Sequence, residues 1–112
     1  MKDFILGLVL IIISQTLIWY QTNGQFKWTW FAENPLMVAS IFSIPISYCF
    51  ITANKYVVAY FGGQLWPARF IGFAVGMITF ALLTSVYMDQ GITAKTLVSL
   101  ILAAALVLMQ LL

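Results

Sequence analysis

The chain is a succession of long apolar runs separated by short segments of polar and turn-forming residues. Four of these runs are close to the roughly 20 residues that a helix needs to cross a bilayer. They cover residues 4–20, 35–53, 65–88 and 93–112. The pattern predicts an all-α membrane protein in which residues 1–112 form one domain, a bundle of four transmembrane helices.

The first run contains the polar cluster Ser14-Gln15-Thr16 near its centre, where lipid offers no hydrogen-bond partner. Lys2 precedes the run, as a cation precedes the apolar core of a signal peptide. The run is longer than a signal core, however, and no cleavage site of small residues follows it. We therefore expect a retained first span whose polar cluster bonds to protein or to a solute.

The second run carries Ser40, Ser43 and Ser47 at the spacing i, i+3, i+7, which places them on one helix face. Small residues on one face allow a second helix to approach closely. We favour this packing role over the alternative, in which the same face is the wall of a solute path. The residues of the candidate polar cavity are Ser14, Gln15, Ser43, Ser47 and Tyr48.

The polar pair Asn54-Lys55 interrupts the end of the second run before the apolar segment 56–61. Two arrangements fit this pattern: a helix that continues to Phe61, or a span that ends near residue 53 and is followed by a short apolar piece. We favour the second arrangement. A lysine deep in hydrocarbon is expensive, whereas one near a helix end can extend its amine to water.

The third run contains Gly72 and Gly76, a G-x-x-x-G pair that is typical of close helix contacts. Together with Ser40 these glycines are the candidate helix-packing residues, either within the chain or in a dimer. The fourth run consists almost entirely of Leu, Ala, Val and Ile, which suits a face against lipid or a dimer partner.

Aromatic and cationic residues lie near the predicted ends of the spans, where they suit the membrane–water interface. The candidate interface anchors are Trp19, Tyr20, Trp28, Trp30, Trp66, Lys55 and Arg69. The aromatic segment 25–31 is explained by a position in the headgroup layer. It is also compatible with a lip on which a ligand stacks.

Composition supports the membrane interpretation, because 63% of the residues are hydrophobic and 7% are charged, against about 25% charged in soluble domains. The five cations are scattered, which excludes a nucleic-acid-binding patch. In a four-span topology Lys2, Lys55 and Arg69 lie on the side of the termini, opposite Lys27 and Lys95. The positive-inside rule then favours cytoplasmic termini, by a margin small enough to be compatible with insertion in both orientations.

The chain lacks the residues of an enzyme or a metal site. It has no histidine and one cysteine, Cys49, so no metal site of Cys and His is expected. Asp3, Glu33 and Asp89 lie at span ends, which leaves no buried acid for proton coupling. We expect no catalysis and no cofactor.

Three short motifs carry a resemblance to a known family over the whole length of the chain. They are the cluster Ser14-Gln15-Thr16, the stretch from Ser47-Tyr48-Cys49 to Thr52-Ala53-Asn54-Lys55, and the acid-containing turn from Tyr87 to Thr93. The chain resembles the drug/metabolite transporter (DMT) superfamily, in particular the small multidrug resistance proteins. The resemblance implies a small DMT-like bundle, and the expected location is a bacterial-type inner (plasma) membrane.

The resemblance also implies a dimer of thin subunits, but it does not carry over the export chemistry. Small multidrug exporters use an essential glutamate in span one, which binds both protons and cationic substrate. Near that position this chain has the neutral residues Ser14 and Gln15. The resemblance therefore does not extend to proton-driven export of cations.

Two functional hypotheses remain. In the first, the chain acts as a homo- or hetero-oligomer that moves a neutral, amphipathic or lipid-linked solute past the candidate cavity. In the second, it is an accessory or structural subunit that packs through its glycine and serine faces in a larger membrane complex. The polar cluster in the first span favours transport, and the absence of any buried charge favours a subunit role.

Overall fold

The computed structural model describes residues 1–112. The long helices are α1 (Lys2–Asn23), α3 (Pro35–Tyr60), α4 (Leu65–Tyr87) and α5 (Ala94–Leu111). A 3-10 turn (Gly24–Phe26) and the short helix α2 (Thr29–Glu33) connect α1 to α3. The four long helices are long and apolar enough to cross a membrane. The all-α fold with four such helices is confirmed, and the chain is a multi-pass membrane protein.

Local sequence signals explain where the helices start and where the chain reverses. Pro35 occupies the first turn of α3, where its missing N–H needs no partner. The Thr93 side chain accepts a hydrogen bond of 3.2 Å from the backbone N–H of Thr96 and so caps α5. Between α3 and α4 the chain reverses at Gly62 and Gly63, which have φ of +67° and +90°.

Helix α3 continues past residue 53, through Asn54 and Lys55, to Tyr60. The second span is thus one continuous helix, and our preferred alternative, a span that ends near residue 53, is wrong. The reason is that Val57, beyond the polar pair, is fully buried beside Gly7 of α1. Lys55 itself stays exposed near the helix end, so continuing the helix buries no charge.

The helices form a flat molecule whose principal extents are 44 × 36 × 18 Å. Helix α1 packs against both α3 and α4, which touch each other little, and α5 packs along α4. The core residues at these contacts are Ile11, Ala53, Val57, Ala68 and Ile71. Only 13 of the 112 residues are buried within the chain, so most apolar side chains are at least partly accessible on its surface.

Candidate functional site

A groove of about 620 Å³ opens between α1, α3 and α4. Its volume lies within the roughly 300–1,000 Å³ that is usual for small-molecule sites. The non-hydrophobic lining residues come from all three helices and are Gln15, Asn54, Arg69, Gly72 and Gly76. The groove therefore gathers polar groups from parts of the chain that are far apart in sequence.

Gln15 is fixed in the groove by two glycines of α4. Its Nε2 donates a hydrogen bond of 3.1 Å to the backbone carbonyl of Gly72. A Cβ atom at Gly76 would lie 2.9 Å from Gln15 Oε1, so a larger residue there would displace the amide from this position. A Cβ at Gly72 would meet nothing within 4 Å, because this glycine faces the open groove. The G-x-x-x-G pair thus accommodates the Gln15 amide and leaves the groove open beside it.

The remaining lining of the groove is hydrophobic. At its base are Ile11 and Ala68, which belong to the buried core of the chain. The apolar walls are formed by Phe50, Val58, Leu65, Phe73, Met77 and Phe80. A polar amide between apolar walls suits a solute that is itself amphipathic.

Arg69 is the one charged residue that lines the groove, and neither Asp nor Glu lines it. The residue lies in the second turn of α4 and is exposed. A guanidinium is always charged and presents several N–H donors in a fixed fork. The groove therefore combines one cation and neutral hydrogen-bonding groups, and it contains no carboxylate to bind a proton.

Ser14 lies outside the groove although it is next to Gln15 in sequence. Its side chain is fully buried, and its hydroxyl donates a hydrogen bond of 2.9 Å to the carbonyl of Leu10 in the same helix. A serine that bonds to its own helix needs no further partner. Ser14 consequently serves the packing of α1.

The serine face of α3 also lies outside the groove. Ser43 accepts a hydrogen bond of 3.3 Å from Gln21 Nε2, and Ser40 donates to the carbonyl of Leu36 in its own helix. Ser40, Ser43, Ser47 and Tyr48 are all exposed, Tyr48 to 69%. The structure thus brings Gln15, both candidate glycines and Arg69 together, and it leaves the serine face and Tyr48 apart from them.

Three of the candidate interface anchors, Trp19, Tyr20 and Trp28, form an aromatic cluster together with Tyr87. The Trp19 and Tyr87 rings stack with centroids 5.5 Å apart, and the Trp28 and Tyr87 rings are equally close. Trp19 Nε1 donates a hydrogen bond of 3.0 Å to Thr84 Oγ1, and the hydroxyls of Tyr20 and Tyr87 are 2.8 Å apart. The cluster joins α1 to the C-terminal end of α4, opposite the end that carries Arg69.

The other candidate anchors are exposed near the ends of helices. Trp66 lies at the start of α4 with 68% of its surface exposed, and Trp30 lies in α2 with 48% exposed. Lys55 is exposed in the last part of α3 and does not line the groove. Exposed tryptophans and a lysine at helix ends are compatible with contacts to headgroups.

The residues of the groove that our site prediction omitted include Asn54 and the phenylalanines Phe73 and Phe80. A usable signal is present on α4, where the lining residues recur at positions 69, 72, 73, 76, 77 and 80. This spacing defines one helix face. On α3 no comparable pattern distinguishes Asn54 from a residue at an ordinary helix end.

The groove offers groups that can bind a solute. An amide, an asparagine, a backbone carbonyl and a guanidinium offer hydrogen bonds and one positive charge, and the lining contains no nucleophile with an adjacent base. The chain has no group of His, Cys, Asp and Glu side chains that would hold a metal ion. No protein-family model, curated protein or solved structure matches this chain.

Proposed function

We propose that the chain is a small transporter of the DMT type that moves a neutral, amphipathic or lipid-linked solute along the groove. The observation that supports this proposal is the Gln15 amide, which lies near the middle of α1 and lines an open groove. Polar groups at such depth are costly in lipid and tend to mark solute pathways. Gln15 is the residue to which the solute binds at mid-depth.

A neutral amide would act by exchanging hydrogen bonds. Gln15 donates one N–H to the Gly72 carbonyl. Its second N–H and its Oε1 are then left to bond with a polar group of the solute. Because no acid lines the groove, movement of the solute does not depend on protonation of a buried carboxylate. The solute therefore moves down its own gradient or with an energy source outside this groove.

The flat shape of the chain supports an oligomeric transporter. A molecule 18 Å thick leaves the groove open on one side, and a second copy or a related chain would complete its enclosure. We propose a homo- or hetero-oligomer in a bacterial-type inner membrane with cytoplasmic termini. The excess of Lys2, Lys55 and Arg69 over Lys27 and Lys95 supports that orientation.

A vesicle assay with the purified chain tests the proposal. The protein is reconstituted into phosphatidylcholine vesicles that contain a trace of a fluorescent, headgroup-labelled phospholipid, and a membrane-impermeant reductant is added outside. If the chain moves amphiphiles, the inner-leaflet label also becomes reducible. Gln15→Leu removes the amide and should return the reducible fraction to that of protein-free vesicles.

The matched control is Thr16→Val. Thr16 is adjacent to Gln15, but its hydroxyl bonds to the Ile12 carbonyl of its own helix, and the residue does not line the groove. This variant should move label as the wild type does. Circular dichroism of both variants in detergent would exclude loss of fold as the cause. Equal loss in both variants, or no movement by the wild type, would count against the transport proposal.

A second candidate function is that of an accessory subunit, which the serine face of α3 supports. Ser40, Ser43 and Ser47 form a strip of small polar residues that is exposed, and Gln21 of α1 bonds to Ser43 at one point of it. Such a strip suits a partner helix in a larger complex. The vesicle assay separates the two candidates, because a subunit without its partners would move no label alone.

A further inference from the structure

The groove has a directional distribution of charge along α4. Arg69, its sole charged lining residue, is near the start of the helix, and Phe80 lines it eleven residues later. At 1.5 Å per residue this interval spans about 16 Å along the helix axis. Between them lie apolar side chains, interrupted by the Gln15 amide and the two glycines. The groove thus has a cationic end near the membrane surface and a long apolar body toward the bilayer interior.

The cationic end is suited to an anion. Asn54 of α3 lines the same groove, so the groove offers an amide as well as the guanidinium of Arg69. No carboxylate of the chain lines the groove to neutralise this charge. Guanidinium groups bind phosphate through two parallel N–H bonds, which are stronger than bonds between neutral groups.

We propose that the groove binds an anionic phospholipid from the surrounding bilayer. Its phosphate bonds to Arg69 and Asn54, and one acyl chain lies along the apolar walls past Gly72. The proposal rests on the transport function proposed above, because it names the class of solute that the same groove takes. It also explains why Gly72 carries no side chain on a face where nothing else fills the space.

The distribution of charge and apolar surface favours this occupant over others. A cationic amphiphile would place its head against Arg69 and be repelled. Inorganic phosphate would satisfy Arg69 but would leave the apolar walls uncovered. A lipid with a net anionic head pairs its charge with Arg69 and covers the apolar walls with an acyl chain. That chain would lie roughly parallel to α4, as the acyl chains of a bilayer lie roughly parallel to a transmembrane helix.

Competitive lipid binding to the purified chain tests the proposal without any transport step. The protein in neutral detergent is mixed with equal amounts of phosphatidylglycerol and phosphatidylcholine of identical chains, and native mass spectrometry measures the bound ratio. We expect phosphatidylglycerol to be bound in preference. Arg69→Gln should lower the preference about tenfold, because it removes the positive charge that pairs with the net anionic head and is opposed by the choline cation of phosphatidylcholine. Arg69→Lys should retain part of it.

Two further variants separate the groove from general attraction to a cationic surface. Lys55→Gln removes an exposed cation that does not line the groove, and it should leave the preference unchanged. Gly72→Leu keeps every charge but fills the path of the acyl chain, and it should reduce binding of the anionic lipid. Equal effects of Lys55→Gln and Arg69→Gln would overturn the proposal. So would binding that persists in Gly72→Leu, or full displacement of the lipid by inorganic phosphate.

The outcomes for binding and for movement are independent. If phosphatidylglycerol binds through Arg69 but no label moves in vesicles, the binding site stands and the transport function fails. If label moves without any preference for the anionic lipid, transport stands and this inference fails.

Discussion

At the scale of single residues, Gly7 and Gly72 differ in the space around them. Gly7 of α1 lies where a Cβ would be 2.5 Å from Val57 Cγ2 and 3.1 Å from the Ala53 carbonyl. The side chain of Val57 cannot move away easily, because valine is stiff about χ1 and this residue is fully buried. Gly72, in contrast, has open space beside it. Gly7 permits the contact of α1 with α3, and Gly72 keeps the groove open.

This difference predicts that the same substitution has different effects on stability at the two positions. Gly7→Ala should lower the free energy of unfolding by about 1 kcal/mol, since overpacking costs about 1–3 kcal/mol and the gain in helix propensity returns up to about 1 kcal/mol. Gly72→Ala should leave that free energy unchanged or raise it. Titration with a denaturing detergent, followed by circular dichroism, measures both. A Gly7→Ala protein as stable as Gly72→Ala would contradict the close contact.

At the scale of helices, contacts between α1 and α4 differ along their length. In the first half of α4 the two helices are bridged by the hydrogen bond from Gln15 to the Gly72 carbonyl, beside an open groove. At the other end the aromatic cluster fills the space between them, and Trp19 is 2% exposed. The aromatic cluster joins the two helices at one end, and the buried core residues Ile11, Ala68 and Ile71 join them at the end that carries the groove.

Much of this arrangement at the helix scale follows from the sequence, and the rest depends on contacts between distant segments. Apolar runs and turn residues predict all four long helices, because hydropathy is a local property. The continuation of α3 past Lys55 is not local, since it depends on burial of Val57 beside Gly7. The groove likewise forms only where Gln15 of α1 and Asn54 of α3 lie beside the same face of α4. The spacing of residues within one helix does not specify how that helix is placed against another.

The aromatic cluster gives a prediction about helix pairing. Thr84→Val removes the acceptor of the buried Trp19 Nε1 and should lower the free energy of unfolding by about 1 kcal/mol. Thr22→Val is the same change at an exposed residue whose hydroxyl bonds within α1, and it should cost less than about 0.5 kcal/mol. Unfolding monitored by tryptophan emission compares the two. Equal costs would mean that the bond between α1 and α4 contributes nothing.

At the scale of the whole molecule, few charges decide how the chain sits in the membrane. The chain has three acids and five cations for four spans. The cations divide three to two between the two ends of the bundle. Orientation depends on such cations in short loops and near span ends. Because Lys55 is exposed and lies in the last part of α3, it contributes to the side on which both termini lie. A change of two side chains is therefore enough to reverse the bias.

The orientation can be tested with a cysteine at the C-terminus. Leu112→Cys in a Cys49→Ala background is exposed to a membrane-impermeant maleimide, and cytoplasmic termini predict labelling only after the cells are broken. Lys2→Gln combined with Lys55→Gln leaves one cation against two, and a fraction of the protein should then label in intact cells. Lys27→Gln leaves three against one and should leave intact cells unlabelled. Labelling of intact cells by the parent chain would place the termini outside, and an unchanged pattern in the double variant would show that these cations do not set the orientation.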